Sequence, residues 1–545
     1  MNPALRAMSR MKRRTALATI AAMTALVVAA WVATPRAQTA GERIGQVTFA
    51  TSCGAAVQKP FERGVALLHS FWYIEAAKAF TAVTQADPDC AIAYWGLAMS
   101  QWTQIWAPPQ PAALKRGWDA VEKAKAASAK TPRERDFIAA AEAFFKDADK
   151  VDHRTRAQAY GRAMEQMYAS YPQDREVAIF YALALQATAD PHDKTYASQR
   201  KSAEIAEKVL AAEPNHPGAA HYIIHAYDYP PVARQGLAAA SRYAQFAPSV
   251  PHALHMPSHT YVLLGMWTET IQSNVAAAAA EKDRGNPDDR MHALDYLVYG
   301  YLQQAQDGEA KKTVDEARGI MTELAARNYN SGRATAAFAM AAIEARWTME
   351  RGRWAEAAAI EPRPTRFPQT DAMIHFARAI GAARTGNAAQ ARAETEKLGN
   401  LRETLQQNKD AYWAEQVEIQ RRAAAAWTAR AEGKTDDALA LMRSAAELEA
   451  TTEKHNISPG PIVLARELLG DMLLEMQQPA KAIAEYEAAL TMAPNRFKAL
   501  YALGRAAELS GDRDKARVVY GKLLVVAAAS DGARPELAQA KAFLR

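Results

Sequence analysis

The sequence predicts an all-α protein built as a helix–turn–helix solenoid. Three observations lead there. The composition is rich in alanine and poor in runs of Val, Ile and Thr, which favours helix over strand. Small, aromatic and proline residues recur 34 positions apart, with one sequence unit resembling the next. At 545 residues the chain is also too long for one compact core, so several domains or a repeat array are expected. Hydrophobic residues make up 49% and charged residues 23%, a balance that excludes a disordered chain.

Residues 1–37 read as a leader. Arg6, Arg10, Lys12, Arg13 and Arg14 precede an uncharged stretch, Thr15–Thr34, and a segment of small residues follows. This is the three-part layout of a secretory signal peptide, with Ala37 a suitable end. The stretch is also long enough to serve as an uncleaved N-terminal membrane anchor. The leader contains no acid, and its six basic residues account for the whole net charge of +6. The remaining 60 basic residues balance 60 acidic ones, so the body lacks the electrostatic footprint of a nucleic-acid-binding protein. No second hydrophobic span follows. The expected location is therefore outside the cytoplasm, periplasmic or secreted, with membrane attachment only through an uncleaved leader.

Residues 38–56 form an irregular lead-in that contains Cys53. The only other cysteine, Cys90, lies in the turn Asp87-Pro88-Asp89-Cys90. In an oxidising compartment an isolated pair on two loops is a disulfide candidate, the alternative being two unrelated small hydrophobes.

The repeat is clearest near the C-terminus. Gly470, Ala482, Tyr486 and Pro494 return as Gly504, Ala516, Tyr520 and Ala528, and Ala76, Phe80 and Pro88 keep the same internal spacing. A small residue lets two helices approach, an aromatic ring fills the space between them, and proline ends the second helix. In period and residue pattern these positions resemble the tetratricopeptide repeat (TPR). The resemblance covers roughly residues 57–530, degenerate between about 110 and 200, and implies roughly 12–14 helix pairs. Pro-rich breaks at 107–111 and 361–364 suggest places where the array bends. The chain is accordingly divided into an N-terminal array, 57–360, and a C-terminal array, 361–545.

Six of the 12 histidines fall between His221 and His292. His221 and His225 are spaced i, i+4, as are His255 and His259, which sets each pair on one helix face. The two pairs are themselves 34 residues apart, and the turn prolines Pro214 and Pro248 keep that offset. The TPR resemblance implies that the second, fifth and ninth positions of each repeat face a concave groove. His221 and His255 then take the fifth position, His225 and His259 the ninth, and His252 the second. After a six-residue insertion His292 and Asp295 continue at the second and fifth. Neutral imidazole is a ligand for zinc, copper, nickel and iron, and side chains on helices 8–10 Å apart can share an ion. A hydrogen-bonded groove for an acidic ligand or peptide is the competing reading, and simple packing is the third. Asp228 is either a helix-end residue or an orienter of a histidine.

Glu467 and Asp471 occupy the fifth and ninth positions of a later repeat. They form a possible pair of groove carboxylates for a cation or basic partner, or else a solvated face. His69, His375, Trp95, Trp102 and Trp106 are weaker signals, and His192 reads as turn chemistry. No nucleophile elbow, zincin motif, phosphate-binding loop or dinucleotide fingerprint occurs. The chain as a whole resembles exported bacterial TPR proteins of unassigned activity that carry a similar histidine-rich segment, here Pro251–His259. The resulting expectation is an extracytoplasmic binding or scaffold protein with a histidine-lined groove that holds a divalent transition metal. The alternatives are a metal-dependent hydrolase or oxygen-using enzyme on the same histidines, or a plain peptide-binding adaptor without cofactor.

The leader gives the first testable statement. N-terminal sequencing of the exported protein should find a chain that lacks about 37 residues. An intact Met1 in the membrane fraction would identify an anchor instead.

Overall fold

The computed structural model describes residues 41–545 except 104–107, 128 and 533. The expected leader, residues 1–37, lies outside the described residues, as does the start of the proline-rich break at 107. Contacts within the chain make Ile44–Arg545 one compact unit, and both expected arrays fall in it. Among the described residues every regular element is helical. No described helix is long and apolar enough to cross a membrane.

The lead-in runs without regular structure to the short 3₁₀ turn Ala55–Val57, and the first helix pair follows as Gln58–His69 and Tyr73–Ala86. Cys53 and Cys90 are joined by a disulfide that links the lead-in to the turn after this pair. Helix starts follow the local chemistry: Asp152, Asp174, Asn286 and Asp512 each accept a backbone N–H from the first turn of the helix they precede. Pro111, Pro132, Pro217, Pro251, Pro257, Pro287, Pro368 and Pro479 stand at helix starts, where the missing N–H costs nothing.

The 34-residue pattern corresponds to one packing device. A β-carbon added at Gly470 would stand 2.6 Å from the Tyr486 ring, and one at Gly504 2.6 Å from Tyr520. Phe80 presses on Gly96 in the same way. Each aromatic ring is fully buried between helices that only glycine allows to approach so closely. Trp95 belongs to this packing too, buried among Phe49, Phe137 and Phe180. One hydrophobic cluster runs from Ile44 to Met256 and another from Ala305 to Ala540.

A segment late in the chain reaches back to the repeats that carry the histidines. Residues 450–464, between the helices Thr435–Glu449 and Ala465–Glu475, have no regular structure and cross the inner face of the preceding repeats. Lys194 donates to the Thr452 carbonyl (2.9 Å), Lys454 to Asp228 Oδ2 (2.7 Å), and Arg346 to the Gly460 and Pro461 carbonyls (2.6 and 2.9 Å). The following helices continue the return. Trp267 Nε1 donates to the Asn495 carbonyl (2.8 Å), the Phe497 N–H to Gln303 Oε1 (2.8 Å), and Arg534 pairs with Asp307 (2.7 Å).

The centre of this return is Arg496, whose guanidinium is 1% exposed and meets Glu350 (2.6 Å), Glu467 (2.9 Å) and the Tyr299 hydroxyl (2.5 Å). Glu467 therefore neutralises an internal arginine. Asp471 is likewise engaged, by Lys498 (3.0 Å) and the Tyr486 hydroxyl (2.8 Å). The expectation of groove carboxylates open to a cation or basic partner gives way to these internal pairs, because the returning helices deliver their own cations. Removing Arg496 would leave the buried Glu350 and Glu467 carboxylates with Lys498, 3.9 Å from Glu467, as the nearest remaining cation. Arg496→Met should lower stability by about 3–5 kcal/mol in a urea titration. A loss within about 0.5 kcal/mol would place this cluster outside the interactions that hold the return together.

Candidate functional site

Four helices supply the histidines: Pro217–Ala226, Pro251–His255, Pro257–Leu263 and Pro287–Gln303. Their fifth- and ninth-position faces converge, and six imidazoles form one continuous cluster. Ring centroids stand 4.8 Å apart for His221 and His225, 5.8 Å for His225 and His259, and 5.0 Å for His259 and His255. The circuit closes through His252, 6.1 Å from His255 and 5.0 Å from His221, and His292 lies 4.4 Å from His255. His221, His225, His255 and His259 are buried, while His252 and His292 are half-buried.

The cluster divides into two trios. One ring nitrogen from each of His221, His225 and His252 falls within 4.8 Å of the others, and so do those of His255, His259 and His292. The ligand-type atoms thus group within a repeat and its successor. His225 and His259, which their 34-residue spacing suggested could share an ion, fall in different trios, with ring centroids 5.8 Å apart.

Hydrogen bonds fix which nitrogen carries the proton. His255 Nδ1 lies 2.7 Å from Asn274 Oδ1, and the amide orientation is set because Asn274 Nδ2 donates to the Thr270 carbonyl (2.8 Å). His259 Nδ1 lies 2.9 Å from Asp228 Oδ2, which also accepts from the Lys454 ammonium at 2.7 Å. His221 Nδ1 lies 2.7 Å from the His69 carbonyl. Each of these three Nδ1 atoms faces an acceptor and therefore donates, which leaves its Nε2 with a lone pair.

The consequence is sharpest at His255 and His259, whose Nε2 atoms face each other at 3.1 Å. Neither has a proton to give the other. Two lone pairs at hydrogen-bond distance repel unless a cation lies between them. Burial disfavours protonation here: it holds His255 down at about 4 and His259 well below the ordinary imidazole value. Burial also holds His252 at about 3 and pushes His221, His225 and His292 well below their usual range. The site presents neutral imidazoles, the form that ligates metals.

A third trio shows the contrast. His69 and His216 flank Glu176 at 2.9 Å each, His69 Nδ1 meets the Tyr222 hydroxyl (2.9 Å), and His216 Nδ1 accepts the Ala219 N–H (3.1 Å). Every ring nitrogen has a complementary partner, so this group is a hydrogen-bonded core network.

Other anticipated residues take different places. Asp295 is bound by Arg346 (3.2 Å), which sets it outside both histidine trios, and burial raises it to about 6. His192 is exposed in a turn closed by Asp190. Asp228 is the orienter of His259. Asn274 and Lys454 had no sequence signal, and Tyr296 was missed. Tyr296, whose hydroxyl is 3.4 Å from His259 Nε2, follows His292 by four residues, and that i, i+4 step was the available clue.

The family comparison agrees with the repeat in the C-terminal array. Residues 465–496 match the tetratricopeptide-repeat family model. No curated protein matches the chain. Among solved structures, the human IFIT1 dimer with m7Gppp-AAAA is 12% identical, with a TM-score of 0.40 over 80% of this chain and 90% of that one. A tetratricopeptide repeat protein from Parabacteroides merdae is 14% identical, with a TM-score of 0.29 over 55% of this chain and 98% of that one.

The depressed imidazoles set a pH dependence. On unfolding they regain an ordinary pKa of about 6.5 and take up protons that the folded state refuses. Stability of the metal-free protein is thus complete above about pH 6.5 and is lost as pH falls towards about 4, where burial holds His255. Calorimetry should show the melting temperature falling from pH 7 to 5, with a shallower fall in His252→Gln. A melting temperature constant over that range would contradict the assignment of neutral buried imidazoles.

Proposed function

We propose that this protein binds a divalent first-row transition metal, with His255, His259 and His292 as ligands. The observation that carries the reading is the approach of His255 Nε2 to His259 Nε2 at 3.1 Å while both Nδ1 atoms are committed to acceptors. With metal–nitrogen bonds of 2.0–2.1 Å, that separation subtends an angle of about 100° at a bound ion, within the range of tetrahedral zinc. The all-imidazole set suits zinc, copper, nickel or iron. Asn274 and Asp228 hold the two rings from behind, the usual support for metal-ligating histidines.

Three protein ligands leave a coordination position open, which favours catalysis as the second reading. Glu467 and Asp471 do not provide its base, since both are held by cations of the returning helices. The exported location inferred from the leader is in keeping with the Cys53–Cys90 disulfide. A protein or peptide partner, the role suggested by the repeat, belongs to parts of the array that residues 450–464 leave uncovered.

The test is calorimetric titration of untagged, metal-stripped protein with zinc. Wild type should bind at or below micromolar concentration, and His259→Ala should lose at least tenfold in affinity. Asp228→Asn should lose roughly 10–100-fold through its effect on His259, and His192→Ala should match wild type. Absence of binding by wild type at micromolar zinc would end the proposal.

A further inference from the structure

The two histidine trios are the same site built twice. In the first, His221 and His225 supply the fifth and ninth positions of one repeat and His252 the second position of the next. In the second, His255 and His259 supply the fifth and ninth positions, and His292 the second position of the repeat after. His252 follows His221 by 31 residues, and His292 follows His255 by 37. The difference is the six-residue insertion between those repeats. Correcting for it, the two sets superpose residue for residue on the repeat.

The correspondence extends to the bond behind the fifth-position ring. Both fifth-position histidines have Nδ1 committed to an oxygen at 2.7 Å, His221 to the His69 carbonyl and His255 to Asn274. Each aims Nε2 at another imidazole nitrogen of its own trio, His221 at the second-position His252 (3.2 Å) and His255 at the ninth-position His259 (3.1 Å), so the close contact falls on different members of the two sets. In each trio the three ring nitrogens fall within the same 4.8 Å limit. The first trio has an aromatic wall of its own. The Phe71 ring contacts His221, His225 and His252 at centroid distances of 4.4, 5.7 and 5.9 Å.

We infer that the protein carries a second metal site, formed by His221, His225 and His252, and so binds two transition-metal ions side by side. This inference rests on the reading of His255, His259 and His292 as ligands, and extends it to the duplicated set. The facing imidazoles of the two sites stand 5.8 and 6.1 Å apart, His225 to His259 and His252 to His255. With metal–nitrogen bonds of 2.0–2.1 Å, two ions in these trios lie on the order of 5–10 Å from each other. Ions that close share one electrostatic environment, so the second binds more weakly than the first.

Copper(II) titration of the metal-free full chain, followed by electron paramagnetic resonance, separates the possibilities. Wild type should take up two ions per chain. The first equivalent should give an isolated nitrogen-ligated signal, and the second should broaden it through mutual dipolar interaction. His252→Ala and His292→Ala, each removing one half-buried ligand from a different trio, should both bind one ion tightly and show no broadening. Circular dichroism of both variants should match wild type. A wild-type capacity of one ion, lost in His292→Ala and kept in His252→Ala, would overturn the second site and leave the first. One ion lost in both variants would also overturn it, by making the six histidines a single site. No binding by wild type would remove both proposals together.

Discussion

The carboxylate of Asp228 is the point on which the inner structure turns. It is fully buried at the end of the helix that carries His221 and His225, and one oxygen accepts from both His259 Nδ1 and Lys454 Nζ. Burial raises its carboxyl above the ordinary range, and the Lys454 ammonium opposes that rise. One residue thereby orients a histidine of the next repeat and anchors a segment more than two hundred residues later. A solenoid normally makes contacts only between neighbouring repeats. Here a distant segment is drawn across the inner face, and the histidines become interior groups.

Burial changes the chemistry of these side chains. An imidazole in an open groove keeps a pKa near 6.5 and exchanges hydrogen bonds with water. In this protein the same rings are held neutral by burial and find partners within the protein. Four of the six are buried, and the proton positions of His221, His255 and His259 follow from single acceptors behind each ring. The trio around Glu176 meets the same demand with hydrogen bonds alone, which shows that the fold can satisfy buried histidines when they serve only as structure. His255 and His259 are left with facing Nε2 atoms 3.1 Å apart, with the Tyr296 hydroxyl 3.4 Å from His259 Nε2.

The repeat and the convergence of the histidines were legible in the sequence because both depend on a fixed period. Gly470 with Tyr486 and Gly504 with Tyr520 pack as their spacing implies, and the fifth- and ninth-position histidines meet as their register implies. The Cys53–Cys90 pair was also legible, from two loops and an oxidising compartment. What the period could not show was the return of the C-terminal helices, since Arg496, Lys454 and Arg346 act across more than a hundred residues on partners with no spacing in common. The same gap explains Asp295, Glu467 and Asp471. Each sits at a groove position by register, and each is claimed by a cation that sequence alone does not place beside it.

The acceptors behind His255 and His259 leave two lone pairs facing each other at 3.1 Å. Ring-nitrogen NMR of histidine-labelled, metal-free protein at pH 7.5 tests it directly, with the two residues assigned from His255→Gln and His259→Gln. The account predicts that both are neutral and protonated on Nδ1, and that zinc shifts both Nε2 resonances while the Nδ1 protons remain. A proton on Nε2 of either ring, or an imidazolium shared between them, would show that the pair is an ordinary hydrogen bond and contradict the claim.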